Sequence, residues 1–461
     1  MGKLFGTDGI RGVAGEYPVT AEIAVRVGKA LGFEVKDRSK AVSGVPRIAV
    51  ARDTRVSGDM LAHAIAAGVC AAGLQAHLIG VLPTPGLAFV TRTLGFQAGV
   101  MISASHNPFQ DNGIKIFRQD GFKLSDEMED DLEKRILDGG QEEKEDDEGT
   151  IGEVYSREGM GDRYIDFLMD QVTDPELFKG FKVVLDCANG ATFQVAPSVF
   201  KRLGAHVKAI CVEPDGTNIN ARCGSEHRQR LAEAVVREGY DAGFAFDGDG
   251  DRVIAVDEYG RTVAGDRMLA ICARDMKDKG DLDGNLVVST VMSNIGLGIA
   301  LKALDINHVT TRVGDRYVLQ EMMAREAQLG GEDSGHMIFL KHHTTGDGIL
   351  AALKISKIIR SAGVPLSTLS KVMDVFPQRL TNVTVKEKRP IKDIPQIMSK
   401  VQEVEKRLGD RGRVLIRYSG TQSMCRVMVE GPTEAVVQAS CQEIADVVRA
   451  HLGDGNEQSK K

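Results

Sequence analysis

Residues 48–79, IAVARDTRVSGDMLAHAIAAGVCAAGLQAHLI, hold one complete cycle of an alternating pattern. The apolar run Ile48–Ala51 reads as a strand, Ser57-Gly58-Asp59 opens a helix that continues to Ala72, and Ala76–Ile79 begins a second strand. Continuous apolar residues giving way to helical spacing and back again is the signature of a β-α-β unit. The unit recurs. Lys182–Leu185 leads through Asp186-Cys187-Ala188-Asn189-Gly190 into a helix near Gln194–Leu203 and a strand at His206–Val212, and Asn285–Ser289 with Ile295–Leu304 repeats the unit. This repetition predicts an α/β protein with mainly parallel sheets, helices on both faces and active sites at the C-terminal ends of strands.

The chemistry-bearing segments follow predicted strands. Ala98–Ile102 feeds Ser103-Ala104-Ser105-His106-Asn107-Pro108, a tight turn that puts the Ser105 hydroxyl where a nucleophile would sit. A serine hydroxyl needs a base, a cation or a metal to act. Asp247-Gly248-Asp249-Gly250-Asp251-Arg252 packs three carboxylates into five residues, with glycines that let the loop aim all three at one hard cation. Gly330-Gly331-Glu332-Asp333-Ser334-Gly335-His336 suits a hydroxyl-rich ligand, and Arg417-Tyr418-Ser419-Gly420-Thr421 has the chemistry of a phosphate cradle.

Each segment alone has a plainer reading. Ser105 could be a surface serine in an Asn-Pro turn, His336 a core histidine satisfied by backbone, and the Arg417 loop a hairpin joining strands Val414–Ile416 and Arg426–Val429. A solvated charge run would not interleave its aspartates with glycines, and the closing Glu of an EF-hand is missing. Jointly, nucleophile, metal, polyol and phosphate point to phosphoryl transfer on a sugar phosphate.

On these motifs, with Leu4-Phe5-Gly6-Thr7-Asp8-Gly9-Ile10-Arg11-Gly12 and Asp111-Asn112-Gly113-Ile114-Lys115, the chain resembles the α-D-phosphohexomutase superfamily over essentially its whole length. Pro214–Asn220 with Cys223-Gly224-Ser225, Val313–Val318 and Thr345–Gly348 resemble the phosphoglucosamine mutase branch. The resemblance implies four domains: three related mixed α/β domains plus a smaller C-terminal α+β domain. It also implies interconversion of glucosamine 6-phosphate and glucosamine 1-phosphate, supplying UDP-N-acetylglucosamine and cell-wall precursor synthesis, with a phosphomannomutase/phosphoglucomutase as the alternative.

In roles, the resemblance implies that Ser105 is the phosphoserine and that Asp247, Asp249 and Asp251 hold Mg²⁺ with Ser105. Lys115, Arg11 and His106 would serve proton transfer and transition-state charge. Arginine stays protonated, so Lys115 is the expected proton carrier. Arg252, Glu332, Ser334 and His336 would bind the sugar, and Arg417, Ser419, Gly420, Thr421 and Arg426 the non-reacting phosphate. Glucose or glucosamine 1,6-bisphosphate is the implied activator, and a homodimer is left open. The chain departs from the family pattern at Gln422-Ser423, where relatives usually show Glu-Pro, and at Asp333, where phosphoglucosamine mutases usually carry Gln.

Composition fits a soluble, cytoplasmic enzyme. The 461 residues are 42% apolar and 27% charged, no apolar stretch approaches a membrane span, and the N-terminus lacks a basic segment followed by an apolar one. A net charge of −7 argues against nucleic acid as partner. Seven cysteines without CxxC pairing fit a reducing compartment and carry no metal signature, with Cys70, Cys187 and Cys272 expected as core fillers. A sugar-phosphate binder would not need Ser105, the aspartates and Lys115 together. An alkaline-phosphatase-like hydrolase would gather histidines around its zinc, and the ten histidines here do not cluster with Asp247–Asp251.

Expected domains are 1–155, 156–257, 258–373 and 374–453, with 454–461 disordered and the acidic tract Glu142–Glu148 a surface loop. Asp257-Glu258-Tyr259-Gly260 reads as a hairpin turn. A C-terminal helix over Thr433–Leu452 would face its sheet with Ala435, Val436, Ala439, Ile444 and Val447 or Val448.

Overall fold

The computed structural model describes residues 4–6, 8–38, 44–138, 150–172, 174, 176–419 and 423–453. The acidic tract, Thr7, Gly420, Thr421, Gln422 and the tail 454–461 lie outside the described residues. The chain forms two compact units, one of Met1–Met292 with Ile306–Lys371 and one of Ser293–Asp305 with Val372–Lys461.

The first unit holds three sheets. In the seven-stranded sheet, Arg47–Arg52 lies between Gln75–Val81 and Ala98–Ile102, parallel to both. Beyond Ala98–Ile102 the pairing turns antiparallel, through Asp111–Arg118 and Gly9–Val13. The five-stranded sheet has parallel strands Lys182–Asp186, His206–Ile210 and Ala242–Phe246, then Val253–Asp257 antiparallel to the last. The four-stranded sheet repeats the arrangement, with Leu286–Thr290 parallel to Asn307–Thr311 and Leu329–Gly331, and Met337–Phe339 antiparallel. The sheets are therefore mixed, not mainly parallel as the β-α-β pattern predicts. The pattern registers crossover units but not the antiparallel strand that closes each one.

That closing strand positions the function. In all three sheets the segment singled out from sequence is the connection from a strand with a parallel neighbour to an antiparallel one: 103–110, 247–252 and 332–336. An antiparallel return keeps the connection short and hydrogen-bonded at both feet, so its side chains are held by the sheet. Helices pack beside the sheets. Ala21–Arg38 and Gly58–Ala71 cross at Gly28 and Gly68, where a Cβ would stand 2.2 Å from the Ile65 carbonyl oxygen and 2.1 Å from that of Val25. The strand from His206 ends at Ile210, before the predicted Val212, because Cys211 takes a left-handed φ of 53° and leaves the ladder.

Helix Gly348–Ala362 is capped by Asp347, whose Oδ1 accepts the Leu350 N–H at 2.9 Å while Tyr164 Oη donates to Oδ2 at 2.7 Å. Burial pushes the Asp347 carboxyl up from 3.8 to about 6. The folded chain thus holds this proton more tightly than the unfolded chain. Its contribution is highest below the unfolded value, and stability falls as pH rises from 3.8 to about 6 by about 3 kcal/mol, then levels. Asp347→Asn keeps an N-cap oxygen without the charge, so denaturant midpoints measured across this range should lose that slope; an unchanged slope assigns it elsewhere.

In the second unit, Met424–Glu430 lies between Gln378–Thr384 and Arg413–Tyr418, antiparallel to both. Helices Pro395–Leu408 and Glu434–Leu452 bury Ile397, Val404, Val437, Cys441, Ile444 and Val448 in a core with Val383, Val427 and Val429. Each such aliphatic side chain contributes roughly 1.5–3 kcal/mol. The face of the last helix differs from the expected one. Ala435, Val436 and Ala439 are exposed, while Val437, Ser440, Cys441, Ile444, Ala445 and Val448 are buried. Thr433 caps this helix, and in its first turns several near-equal apolar residues leave the buried stripe ambiguous to periodicity alone.

Candidate active site

The turn after Ala98–Ile102 is built on one arginine. Arg55, 1% exposed, uses all five of its N–H groups. Nε donates to Asp53 Oδ2 at 2.8 Å, Nη2 to the Ser105 and Asn107 carbonyls at 3.0 and 2.9 Å, and Nη1 to the carbonyls of Asp111, at 2.9 Å, and Pro108. Asp53 also accepts Ser103 Oγ–H at 2.6 Å, and Ser103 Oγ accepts the Ser105 N–H at 2.9 Å. From the connection that follows strand His206–Ile210, Asn220 Nδ2 donates to the same Ser105 and Asn107 carbonyls, both at 2.9 Å. Held from two sides, Ser105 sits at φ 53°, a region non-glycine residues occupy at a cost of about 1–3 kcal/mol.

The Asp247 loop meets this turn backbone to backbone, since a Cβ on Gly248 would lie 2.4 Å from the Ser105 carbonyl oxygen. Ser105 Oγ donates to Asp247 Oδ2, and Asp247 Oδ1 accepts the Arg252 N–H at 3.1 Å. Asp249 Oδ2 accepts Thr84 Oγ1–H at 2.5 Å and Lys115 Nζ at 2.9 Å; Asp251 Oδ2 accepts Lys115 at 3.3 Å. Asp249 Oδ1 and Asp251 Oδ1 are buried without a hydrogen-bond partner. Buried carboxylate oxygens with no donor are costly, and one hard cation among three such side chains satisfies them. The acidic triad, with ligand oxygens within 4.8 Å of one another, therefore fits a bound metal. Burial, then Asp251 and Asp249, raises the Asp247 carboxyl well above its ordinary range.

Lys115, 2% exposed, is embedded in charge. Although burial opposes its cationic form, Asp249, Asp8 and Asp251 hold the ammonium well above its usual value, so Lys115 stays charged. It belongs to a closed ring. Asp8 lies 3.2 Å from Lys115; Lys123 Nζ bridges Asp8 at 2.5 Å and Asp315 at 2.6 Å; His336 stands 3.8 Å from both Asp315 and Asp251. Arg11 pairs with Asp8. Burial opposes charge on His336, but Asp251 and Asp315 raise its imidazole.

His106 is differently placed. Its Nδ1 is 3.2 Å from Arg252 Nη1 and 3.4 Å from Ser105 Oγ. A guanidinium only donates, so Nδ1 is the acceptor and bears no proton, while the serine proton goes to Asp247. Burial, with Arg252, lowers the imidazole. The Gly331–His336 loop joins this cluster through Val253 N–H to the Gly335 carbonyl at 3.1 Å and through His336. Glu332 Oε1 accepts the Gly314 N–H at 3.1 Å, and Ser334 Oγ is buried with no partner.

In the second unit, Arg417 and Arg426 stand opposite each other across paired strands. Arg426 Nε is buried without an acceptor, and burial together with Arg426 lowers the Arg417 guanidinium. Ser419 N–H donates to the Met424 carbonyl at 2.9 Å. Like charges directly opposed on a sheet repel, and an anion between them relieves the repulsion.

Thus Ser105, His106, Lys115, Arg11, the three aspartates, Arg252 and His336 are brought together in one cluster of the first unit. Asp8, Lys123, Asp315, Arg55 and Asn220 complete it and had no role predicted. Asp8 and Asp315 lie inside quoted motifs; nothing in the sequence separates Lys123 or Arg55 from surface cations. A second convergence runs against expectation: Cys211 and Cys223, apart in sequence, meet Asp186.

This fold and site define a phosphohexomutase, an isomerase-class phosphotransferase. Four models of the phosphoglucomutase/phosphomannomutase family match the chain: alpha/beta/alpha domain I over residues 2–143, domain II over 162–260, domain III over 264–376 and the C-terminal domain over 380–447. The chain belongs to this family. A protein of Syntrophus aciditrophicus named phosphoglucosamine mutase is 53% identical over 98% of this chain and 100% of its own length, and one of Syntrophobacter fumaroxidans with that name is 51% identical over the same shares. Among solved structures, a phosphoglucomutase/phosphomannomutase family protein of Burkholderia thailandensis has a TM-score of 0.80 at 24% identity, covering 97% of each chain. The Aspergillus fumigatus N-acetylphosphoglucosamine mutase, in complex with GlcNAc-6P and magnesium, has a TM-score of 0.69 at 18% identity, over 97% of this chain and 95% of its own. No helix among the described residues is long and apolar enough to cross a membrane.

Proposed function

We infer that this protein interconverts glucosamine 6-phosphate and glucosamine 1-phosphate through a phosphorylated Ser105 and a 1,6-bisphosphorylated sugar. The observation that carries the reading is the strained, buried Ser105 donating to one member of an acidic triad whose other two members keep unpartnered oxygens beside Lys115. The amino sugar is favoured by the full-length relatives named phosphoglucosamine mutase at about half identity.

In the first half-reaction the serine O–P bond breaks as a sugar hydroxyl oxygen bonds phosphorus, and that hydroxyl's proton is passed through the cluster to the released Ser105 Oγ. In the second, Ser105 Oγ bonds the phosphorus at the sugar's other end, gives its proton along the bond it already makes to Asp247, and the departing sugar oxygen is protonated. Lys115 is the proton donor within this cluster, and Arg11 stabilises charge as it develops. Asp247, Asp249, Asp251 and Ser105 would hold Mg²⁺, which when bound polarises a phosphoryl oxygen and offsets the carboxylate charge. Arg252, Glu332, Ser334 and His336 are assigned to the sugar, the free Ser334 Oγ being open to a ring hydroxyl. His106, accepting from Arg252, orients that guanidinium. Arg417, Ser419 and Arg426, with Gly420 and Thr421, are assigned to the non-reacting phosphate. Glucosamine 1,6-bisphosphate or its glucose counterpart is the activator, and the domain limits at 155, 257, 373 and 453 complete the proposal.

The test is a side-by-side rate comparison on glucosamine, glucose and mannose 6-phosphates, each primed with the bisphosphate. Glucosamine 6-phosphate should give the highest kcat/KM, by about tenfold or more. A faster rate on mannose or glucose phosphates favours the alternative specificity, and release of free phosphate without isomerisation rejects mutase chemistry.

A further inference from the structure

Away from the aspartate triad, the first unit gathers a second group of donors of different chemistry. Asp186, at the end of strand Lys182–Asp186, is fully buried, Cys223 is 1% exposed and Cys211 is half-buried; one carboxylate oxygen and both sulfurs lie within 4.8 Å of one another. A tetrahedral zinc with one carboxylate and two thiolate ligands puts its donor atoms about 3.3–3.8 Å apart, so small side-chain rotations close the set. The carboxylate is aimed by backbone. Ala188 N–H donates to Oδ1 at 2.9 Å and Gly224 N–H to Oδ2 at 3.0 Å, which orients the group as outer-shell contacts orient metal ligands, and the carboxylate also has a hydrogen bond with the Cys211 side chain.

Charge makes the case sharper. Arg230 acts on the Asp186 carboxylate electrostatically, but it forms no ion pair with it among the described residues. Interior carboxylates are ordinarily paired with a cation or bound to a metal. Cys211, at φ 53°, turns its side chain back beside the buried pair.

We propose that Asp186, Cys211 and Cys223 form a binding site for one thiophilic divalent cation of the zinc type, distinct from the oxygen-only triad. Binding releases the two thiol protons to solvent, and the half-exposed Cys211 side leaves a fourth position for water. The site clamps both feet of the segment 212–222. That segment carries Asn220, whose amide holds the Ser105 and Asn107 carbonyls, so occupancy stiffens a brace of the active-site turn without touching substrate.

Co²⁺ added to the full-length protein, under a non-thiol reductant and with excess Mg²⁺ to fill the triad, reports on this directly. One equivalent should bind with an intense thiolate-to-cobalt charge-transfer band in the near ultraviolet, and Cys211→Ser and Cys223→Ser should each lose it. Cobalt bound to carboxylates alone lacks that band, so the two sites are separable. No band in the wild type, or a band surviving in Cys211→Ser, overturns the proposal. Should Cys223→Ser fail to fold, the half-exposed Cys211→Ser decides alone. A Cys211–Cys223 disulfide formed on peroxide treatment, with no cobalt band under reductant, assigns the pair to redox chemistry instead.

Discussion

Ser105→Ala lowers the rate of hexose phosphate interconversion by on the order of 10⁴- to 10⁶-fold, the range seen when a covalent nucleophile is deleted. The loss should fall on kcat, because Glu332, Ser334 and His336 lie in a different loop and keep their geometry. Stability should barely move. The hydroxyl makes one hydrogen bond of note, to Asp247, whose other oxygen keeps the Arg252 N–H. Ser105→Gly sharpens the test. Glycine adopts φ 53° without the steric cost serine bears, so this variant should unfold at an equal or higher denaturant concentration, by up to about 1 kcal/mol, and be just as inactive. Incubation with the 1,6-bisphosphate should add one phosphoryl group to the wild type and none to either variant by intact mass. Substantial mutase activity in Ser105→Gly would falsify the nucleophile assignment.

The turns were far more legible in the sequence than the cluster they build. A strand followed by glycine-spaced aspartates, or by Ser-His-Asn-Pro, is written locally, because chain direction and side-chain type both appear within ten residues. Ala98–Ile102 could therefore be read as a strand that presents its loop. The direction of the strand that follows depends on which neighbour it pairs with, so the antiparallel returns at Asp111–Arg118, Val253–Asp257 and Met337–Phe339 were not legible. Long-range partners are invisible for the same reason. Lys123 reads as one more lysine, yet it joins Asp8 to Asp315; a buried lysine is recognisable only once its carboxylates are in place. Arg11 and Lys115, by contrast, sit inside motifs and were found.

Arg55 is the clearest case of a residue silent in sequence and decisive in structure, and its replacement carries the largest expected stability loss. Arg55→Met keeps apolar bulk but removes all five donors. Ser105 and Asn107 carbonyls retain Asn220, and the Pro108 carbonyl retains the Asp111 N–H at 3.1 Å. Asp53 does not escape: it stays buried, keeps Ser103 and the residue-55 N–H, and loses its only counter-ion among the described residues. Breaking one side of a buried pair costs about 3–5 kcal/mol, against a total of roughly 5–15 kcal/mol for a typical fold. The variant should unfold at markedly lower denaturant, and kcat of its folded fraction should also fall, since the turn no longer enforces the left-handed Ser105 conformation. Adding Asp53→Asn separates the two effects. With the orphan charge gone, most of the stability should return while kcat stays low, because the neutral pair restores no donor to the Ser105 and Asn107 carbonyls from that side. Equal recovery of stability and kcat in the double variant makes Arg55 a partner for charge alone, and wild-type values for both in Arg55→Met reject its role as the scaffold of the turn.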